Sequence, residues 1–258
     1  MEFKTMENEK LAFFPFIMDG QPVEEPFCLI SSRSCGDMVC PDKSGEVNPN
    51  RQRLFNALYL DPDRVAFLKQ VHSRKTIEAD SKNLCRGAEA DGLITEGSIC
   101  LSITVADCLP VYLFDSESCG FALLHSGWKG TGIVLNALEL MKQKWGTRTE
   151  AVAAVLGPCI RSCCYKVDKD RAESFEQEFG ESSSLVASDT PWPLGPVTVC
   201  RDKGFYLDMQ AANARLLAGA GVQNIAVCAD CTFTDERLGS FRREGTNFTH
   251  MIAMAGYF

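Results

Sequence analysis

Positive charge is in short supply in this sequence. Lys and Arg number 26 against 34 Asp and Glu, a formal net charge of −8. That balance argues against a long nucleic-acid footprint but leaves room for a local basic pocket. Long apolar runs are also missing. Leu11–Met18 is far too short to span a bilayer, and the polar MEFKTMENEK before it is not a signal-peptide flank. The expectation is therefore a cytoplasmic chain with no membrane span and no nucleic-acid partner. Short-period repeats and low-complexity tracts are absent, so solenoids are not indicated. Histidine is scarce. His72, His125 and His250 are the only three, so any imidazole site must be small.

Cysteine, by contrast, is abundant and odd in number, at 13. Without signal-peptide features, mostly reduced thiols packed as small core residues are expected, rather than a disulfide framework. Cys228 and Cys231 form one CxxC, and Cys163 and Cys164 are adjacent. No second CxxC stands at zinc-finger spacing, so each is a weak redox or metal motif. The 45% hydrophobic content over 258 residues suffices for a sizeable core without staples. One domain over 1–258 is expected.

Strands are predicted at Leu11–Met18, Phe27–Ser31 and Val65–Val71, the last leading to His72. A helix over Asn48–Leu60 presents Leu54, Phe55, Leu58 and Tyr59 on one face and stops at Pro62. After a polar connection from Arg74 to Ala90, Asp91-Gly92 reads as a turn. Two buried strands follow, Leu101–Val105 and Phe121–Leu124. The first stops at Ala106-Asp107-Cys108 and the second at His125-Ser126-Gly127-Trp128. Helices are predicted over Gly130–Trp145, Asp168–Phe179 and Leu207–Ala218, and strands over Ala151–Leu156, Asn224–Ala229 and Met251–Tyr257. Cys163–Val167 reads as a continuation of the Ala151 strand, Glu181–Pro196 as a long loop and Phe241–Gly245 as a charged loop. The alternation is too irregular for an open parallel sheet, so mixed sheets covered by helices fit better.

Three of these strand ends carry metal-binding chemistry. Zinc takes imidazole and thiolate in a tetrahedron, and catalytic sites keep one position open. His72, Cys108 and His125 would form such a His-Cys-His set. Their separations of 36 and 17 residues make it no local finger (108 − 72 and 125 − 108). The alternative is that each is a hydrogen-bonded residue at a strand end. A cysteine hydrolase with Cys108 as nucleophile and His125 as base would use the same atoms.

Seven blocks then occur in one order. They are Gln70-Val71-His72, Ala90-Asp91-Gly92, Ala106-Asp107-Cys108-Leu109-Pro110-Val111, His125 to Gly130, Leu156-Gly157-Pro158, Cys163-Cys164-Tyr165 and Ser240 to Gly245. With them the chain resembles the laccase-domain family, also called multicopper polyphenol oxidase-like, from about Ser32 onward. Its members are regarded as purine nucleoside phosphorylases. The resemblance implies an α+β fold with mixed β-sheets in a four-layer α/β/β/α arrangement. It implies zinc on His72, Cys108 and His125, with copper the less favoured ion. It further implies phosphorolysis of adenosine, inosine and 5′-methylthioadenosine, with some adenosine deamination. Departures include Cys35-Gly36 in place of paired glycines, Phe241 in place of a Tyr, and His250 where an Arg often precedes the Met.

The older family name meets a chemical objection. A multicopper oxidase needs a trinuclear cluster fed by many more histidines than three. Deamination needs activated water and a carboxylate to shuttle its proton, for which Asp91 and Asp107 are candidates. Phosphorolysis needs cationic or backbone donors for the phosphate, and Arg33, Lys129, Arg242 and Arg243 are candidates. Each carboxylate could instead orient a metal-bound His, and each cation could be a solvated charge. A non-enzymatic, zinc-stabilised binding protein and a metal-free deamidase stay open as alternatives. The expected partners are a purine nucleoside and inorganic phosphate, and the expected state is a monomer.

Overall fold

The computed structural model describes residues 1–40, 48–180 and 196–257. The chain enters through three strands, β1 (Lys4–Met6), β2 (Glu9–Met18) and β3 (Gln21–Ser31), and then helix α1 (Pro49–Ala57). Two short strands follow, β4 (Val65–Phe67) and β5 (Thr76–Glu78). Then come β6 (Gly92–Thr95), β7 (Cys100–Val105), β8 (Leu109–Asp115) and β9 (Phe121–Ser126). Helix α2 (Ile133–Trp145), β10 (Val152–Leu156), β11 (Lys166–Val167) and α3 (Lys169–Phe179) come next. The remainder is β12 (Thr198–Arg201), β13 (Gly204–Leu207), α4 (Met209–Gly219), β14 (Asn224–Val227), α5 (Phe241–Glu244) and β15 (Met251–Gly256).

Two six-stranded sheets carry the architecture, ordered β1-β2-β3-β15-β7-β4 and β14-β10-β8-β9-β6-β5. Each mixes parallel and antiparallel pairs: β4 runs parallel to β7 and β5 to β6, whereas β8 and β9 are antiparallel. A small third sheet, β11-β13-β12, packs under α3. The layers follow from the period-2 alternation of strand side chains. In the first sheet Leu11 and Leu29 pack on Leu54 and Phe55 of α1, while their neighbours Ala12 and Ile30 face the second sheet. In the second sheet Tyr112 and Leu123 face the first, while Val111 and Leu124 pack under α2 and α4. The order is helix, sheet, sheet, helix, as the resemblance implies.

A buried polar tie joins the two sheets. Tyr112 on β8 is fully buried, and its hydroxyl donates to the Leu29 carbonyl of β3 at 2.8 Å. Among the described residues, no helix is long and apolar enough to cross a membrane.

Several sequence expectations are corrected. The strands ending before Cys108 and at His125 are not neighbours; β7 lies in the first sheet and β9 in the second. Between them in sequence runs β8, a strand of the second sheet that carries no strand signal of its own. It is buried on both faces, so no polar alternation marks it, and Pro110 argues against a strand. Cys163–Val167 does not extend β10; it turns and enters the third sheet as β11. The β12–β13 hairpin went unassigned, and Thr76–Glu78 pairs within the expected polar connection. The strand before His72 ends at Phe67, and the charged loop at Phe241 is a single helical turn. The loop expected over 181–196 lies, but for its last residue, outside the described residues.

Removing the inter-sheet tie alone tests its weight. Tyr112→Phe keeps the ring and should lose about 1 kcal/mol of unfolding free energy. Tyr112→Ala should lose about 3–5 kcal/mol, as for large aromatic truncations in cores. Urea unfolding followed by fluorescence reads both.

Candidate metal centre and cavity

Strand register brings the donors together. In the β8–β9 ladder Leu109 pairs with Ser126 and Pro110 with His125, so one step further sets Cys108 opposite Gly127. In the β6–β9 ladder Gly92 pairs with Leu124, which sets Asp91 opposite His125, and the His125 amide donates to the Asp91 carbonyl at 2.8 Å. His72 arrives separately, on the irregular segment after β4. Its backbone has φ +58°, a left-handed conformation that is uncommon for a residue with a side chain.

Asp91 holds that segment in place. Its Oδ1 accepts from the His72 amide at 3.0 Å and pairs with His125 Nδ1 at 2.9 Å. Its Oδ2 accepts from the Ser73 amide at 2.6 Å and the Ser73 hydroxyl at 2.8 Å. The carboxylate is wholly buried. Burial would raise its pKa, but the His125 and Ser73 donors outweigh that and hold it at about 2. With Nδ1 of His125 engaged, Nε2 is the nitrogen left for a metal.

The ligating atoms of His72, Cys108 and His125 all lie within 4.8 Å of one another. The two imidazoles meet edge to face, with centroids 5.0 Å apart. His125 is buried, Cys108 half-buried and His72 exposed, so the set opens to one side. Gly127 leaves room for this approach, since a Cβ there would sit a tight 3.1 Å from Cys108 Sγ and 3.5 Å from His72 Cδ2. Burial pushes the Cys108 thiol up, but the His125 and His72 rings overcome it and bring it down to about 6. Burial likewise disfavours the His125 cation, but Cys108 and then Asp91 raise it to about 9. Two nitrogens and one thiolate with an oriented imidazole fit zinc, with one coordination position left toward the open side.

That side faces a cavity of about 540 Å³. All three donor residues line it, together with Trp128, Tyr165, Phe241, Phe248 and His250. Phe241 and Phe248 meet edge to face at 5.2 Å, and the His250 ring lies 4.4 Å from Phe248. His250 Nδ1 pairs with Asp37 at 2.8 Å, so this residue lines the cavity rather than the general surface.

Of the four expected cations, the cavity receives one. Arg242 lines it, reaching the Lys166 carbonyl at 2.7 Å and lying over the Tyr165 ring. Arg33 lines a different recess, beside Lys10 and Arg237. Arg243 turns the other way and donates to the carbonyls of Thr232 and Phe233 at 2.6 and 3.0 Å. Lys129 is exposed and lies over the outer ring of Trp128. The cation that went unrecognised is Arg171. Asp168 caps α3 by accepting from the Arg171 amide at 2.8 Å, and the Arg171 guanidinium lies 4.5 Å from the Trp128 ring, at the cavity wall.

The two candidate carboxylates also separate. Asp91 does not line the cavity, and its oxygens are taken up by the ligand scaffold. Asp107 does line it, at φ +84°, with Oδ1 accepting from Thr232 Oγ1 at 2.6 Å and Oδ2 from the Arg242 amide at 2.7 Å. Asp107 thus anchors the turn that carries Phe241 and Arg242.

The family described as multi-copper polyphenol oxidoreductase laccase matches residues 25–257. The chain belongs to this family. A Corynebacterium glutamicum protein named purine nucleoside phosphorylase is 31% identical over 227 residues, covering 84% of this chain and 83% of its own. A Deinococcus radiodurans protein of the same name is 32% identical over 220 residues, covering 83% and 80%. Among solved structures, YlmD from Geobacillus stearothermophilus superposes with a TM-score of 0.78 at 24% identity, over 99% of this chain and 98% of its own. A Bacillus licheniformis protein, YfiH, gives 0.74 at 22% identity, over 95% and 99%. These structural matches establish the four-layer fold.

Two measurements check the centre. Asp91→Asn should weaken zinc binding about 10–100-fold in chelator competition, the usual cost of losing the partner of a ligating histidine. Zinc must also displace the His125 proton at any pH below about 9, where Cys108 is already a thiolate down to about 6. Affinity should therefore fall as pH falls, by about tenfold per unit between about pH 7 and about pH 9. An affinity independent of pH over that range would contradict the ligand set.

Proposed function

We propose that this chain is a zinc-dependent purine nucleoside phosphorylase. It would convert adenosine, inosine or 5′-methylthioadenosine, with phosphate, to the free base and ribose 1-phosphate or its methylthio analogue. Adenosine deamination would be a side reaction. One observation carries the reading: a His-Cys-His donor set opens into a cavity that has aromatic walls and two guanidinium groups, in a chain about 31% identical to proteins of that name. One domain over 1–258, acting as a cytoplasmic monomer, completes the proposal.

The residues divide the work by chemistry. Phosphate attacks C1′ of the ribose while the purine departs, so the site must hold an anion on one side and protonate a base on the other. Arg171 and Arg242 both neighbour Tyr165 and supply the positive charge. Phe241, Phe248 and Trp128 offer faces for a planar base. Tyr165 and His250 are the lining groups able to hand a proton to the leaving purine. Burial first, and the nearby Cys108 next, raise the Tyr165 phenol to about 12, so it stays protonated and available as a donor. Zinc at His72, Cys108 and His125 would supply a Lewis acid at the cavity floor. Asp91 and Asp107 act as positioning residues, the first for the ligands and the second for the turn at Phe241–Arg242.

A second reading rests on one specific observation. Cys108 and His125, backed by Asp91, have the polarity of a thiolate–imidazolium dyad, with the thiol down at about 6 and the imidazole up at about 9. A cysteine deamidase would use that pair directly. His72 would then serve only to help hold the thiolate, whereas in the metal reading it supplies the third donor of a complete set, which favours that reading. A copper polyphenol oxidase is disfavoured, because His250 stands outside the ligand cluster and only two imidazoles remain in it.

The assay is release of free purine from inosine and adenosine with and without phosphate, run with a metal count. Phosphate-dependent release is expected, falling by more than about 100-fold in His72→Ala and Cys108→Ala, since losing a ligand should cost more than losing its hydrogen-bond partner. Arg171→Ala and Arg242→Ala should raise the KM for phosphate by about 10–150-fold, the worth of a hydrogen bond to a charged group. Lys129→Ala should change nothing. Turnover that survives in folded His72→Ala sinks the metal reading, and full activity in metal-free protein favours the dyad.

A further inference from the structure

Away from the His72 centre, a second group of soft donors converges. The Sγ atoms of Cys163, Cys164 and Cys231 all lie within 4.8 Å of one another. Two chain segments bring them there. After β10 the chain makes a tight turn, in which the amides of Cys164 and Tyr165 both donate to the Arg161 carbonyl at 2.8 Å. After β14 the segment carrying Cys231 is stitched to it. Cys159 and Cys231 form a parallel bridge, and the Thr232 amide donates to the Cys159 carbonyl at 3.1 Å. Burial is graded across the set, with Cys231 buried, Cys164 half-buried and Cys163 exposed. Cys163 and Cys231 line a recess of about 730 Å³, so a small ion can enter from solvent.

Burial and the neighbouring thiols push Cys163 up to about 12 and burial raises Cys164, whereas at Cys231 burial is overcome by backbone amides, which bring it down, so a metal ion must displace thiol protons to bind. The Arg161 amide donates to Cys231 Sγ at 3.4 Å. Arg161 Nε is buried with no hydrogen-bond partner among the described residues, while its Nη2 pairs with Asp208 at 3.3 Å. The Arg201 guanidinium donates to the Cys163 carbonyl. Two guanidiniums therefore stand beside a group that would be strongly anionic once deprotonated. Soft thiolate donors select Cu(I), zinc or iron–sulfur clusters. Among the described residues no fourth His, Cys, Asp or Glu joins the set. Three thiolates complete a trigonal shell for Cu(I), whereas structural zinc would be one protein ligand short.

We propose that Cys163, Cys164 and Cys231 form a second metal site, distinct from the His72–Cys108–His125 centre, that takes one Cu(I) ion through three thiolates. Binding expels to solvent whichever thiol protons remain; the ion enters as Cu(I) and no electron is transferred. Neither the substrate nor the identity of the ion at the first centre enters this proposal.

The test is an anaerobic titration of the reduced, full-length protein with Cu(I) against the chelator bathocuproine disulfonate. Wild type and Cys108→Ala should both hold an equivalent of Cu(I) that Cys163→Ser and Cys231→Ser lose. Cys163 is exposed, so Cys163→Ser stands as the test even where Cys231→Ser does not fold. X-ray absorption on Cu(I)-loaded Cys108→Ala should give a three-coordinate, all-sulfur shell. The proposal is overturned if Cys163→Ser retains the equivalent, if Cys108→Ala loses it, or if nitrogen appears in that shell. It is equally overturned if the equivalent follows the exposed thiols Cys119 and Cys200 in their serine variants.

Discussion

The candidate site depends on one buried carboxylate. Asp91 is fully enclosed, yet it stays ionised because His125 and the 72–73 segment supply the donors that water would otherwise give. Each partner gains from the arrangement. His125 is fixed in rotation about its ring axis, and the segment carrying His72 is pinned although it belongs to no sheet at that point. A buried carboxylate with fewer donors would take up a proton, and the His72 loop would lose its anchor. The same interaction fixes ligand geometry and loop conformation, so neither can drift without the other.

Local strain gathers where this anchoring is strongest. His72 and Asp107 both adopt positive φ, and both are held there by carboxylate–amide bonds. The cost is of order 1–3 kcal/mol each, sustained only because the surroundings over-determine the conformation. Both residues stand at the candidate metal set, His72 as one of its donors and Asp107 as the neighbour of Cys108. Strain placed there aims side chains into the cavity at points where regular strands would carry them past it.

Much of the core was legible in the sequence because sheets and amphipathic helices have a period. Leu54 and Phe55 on α1, Leu58 at its C-cap, and Ile133, Val134 and Met141 on α2 are buried as their spacing requires. Tyr59, expected on the same face as Leu58, instead lies beyond the end of α1 at positive φ and is exposed. The strand ends at Val105 and His125 were legible for the same reason. Pairing was not. That β7 and β9 belong to different sheets is a long-range fact with no local signature. Charge was least legible of all. Arg33, Lys129, Arg242 and Arg243 sit in similarly promising contexts, yet only Arg242 reaches the cavity. Arg171 does so from a helix whose many charges read as a solvated face. A capping aspartate three residues before an arginine, as in Asp168 and Arg171, was the one available hint that the side chain starts from a fixed turn.

The cavity is a seam between layers, not a pocket within one. Gln70 and Thr104 come from the first sheet's side, Cys108 and His125 from the second, Tyr165 and Arg171 from the third sheet and its helix, and Phe241 to His250 from the turn before β15. Such a site exists only when both sheets are stacked, which is why the Tyr112–Leu29 tie and the Asp107–Arg242 bond matter to chemistry as well as to stability. The family's description as a multi-copper oxidoreductase sits uneasily with this construction. Copper clusters that reduce oxygen need many imidazoles in one place, and the seam brings together two, with the third turned toward Asp37. What the seam does gather is a His-Cys-His donor set that could hold one metal ion, two guanidiniums and a wall of aromatic rings. Those are the elements for holding an anion against a planar, polar ring, and they are poorly suited to moving electrons between copper centres.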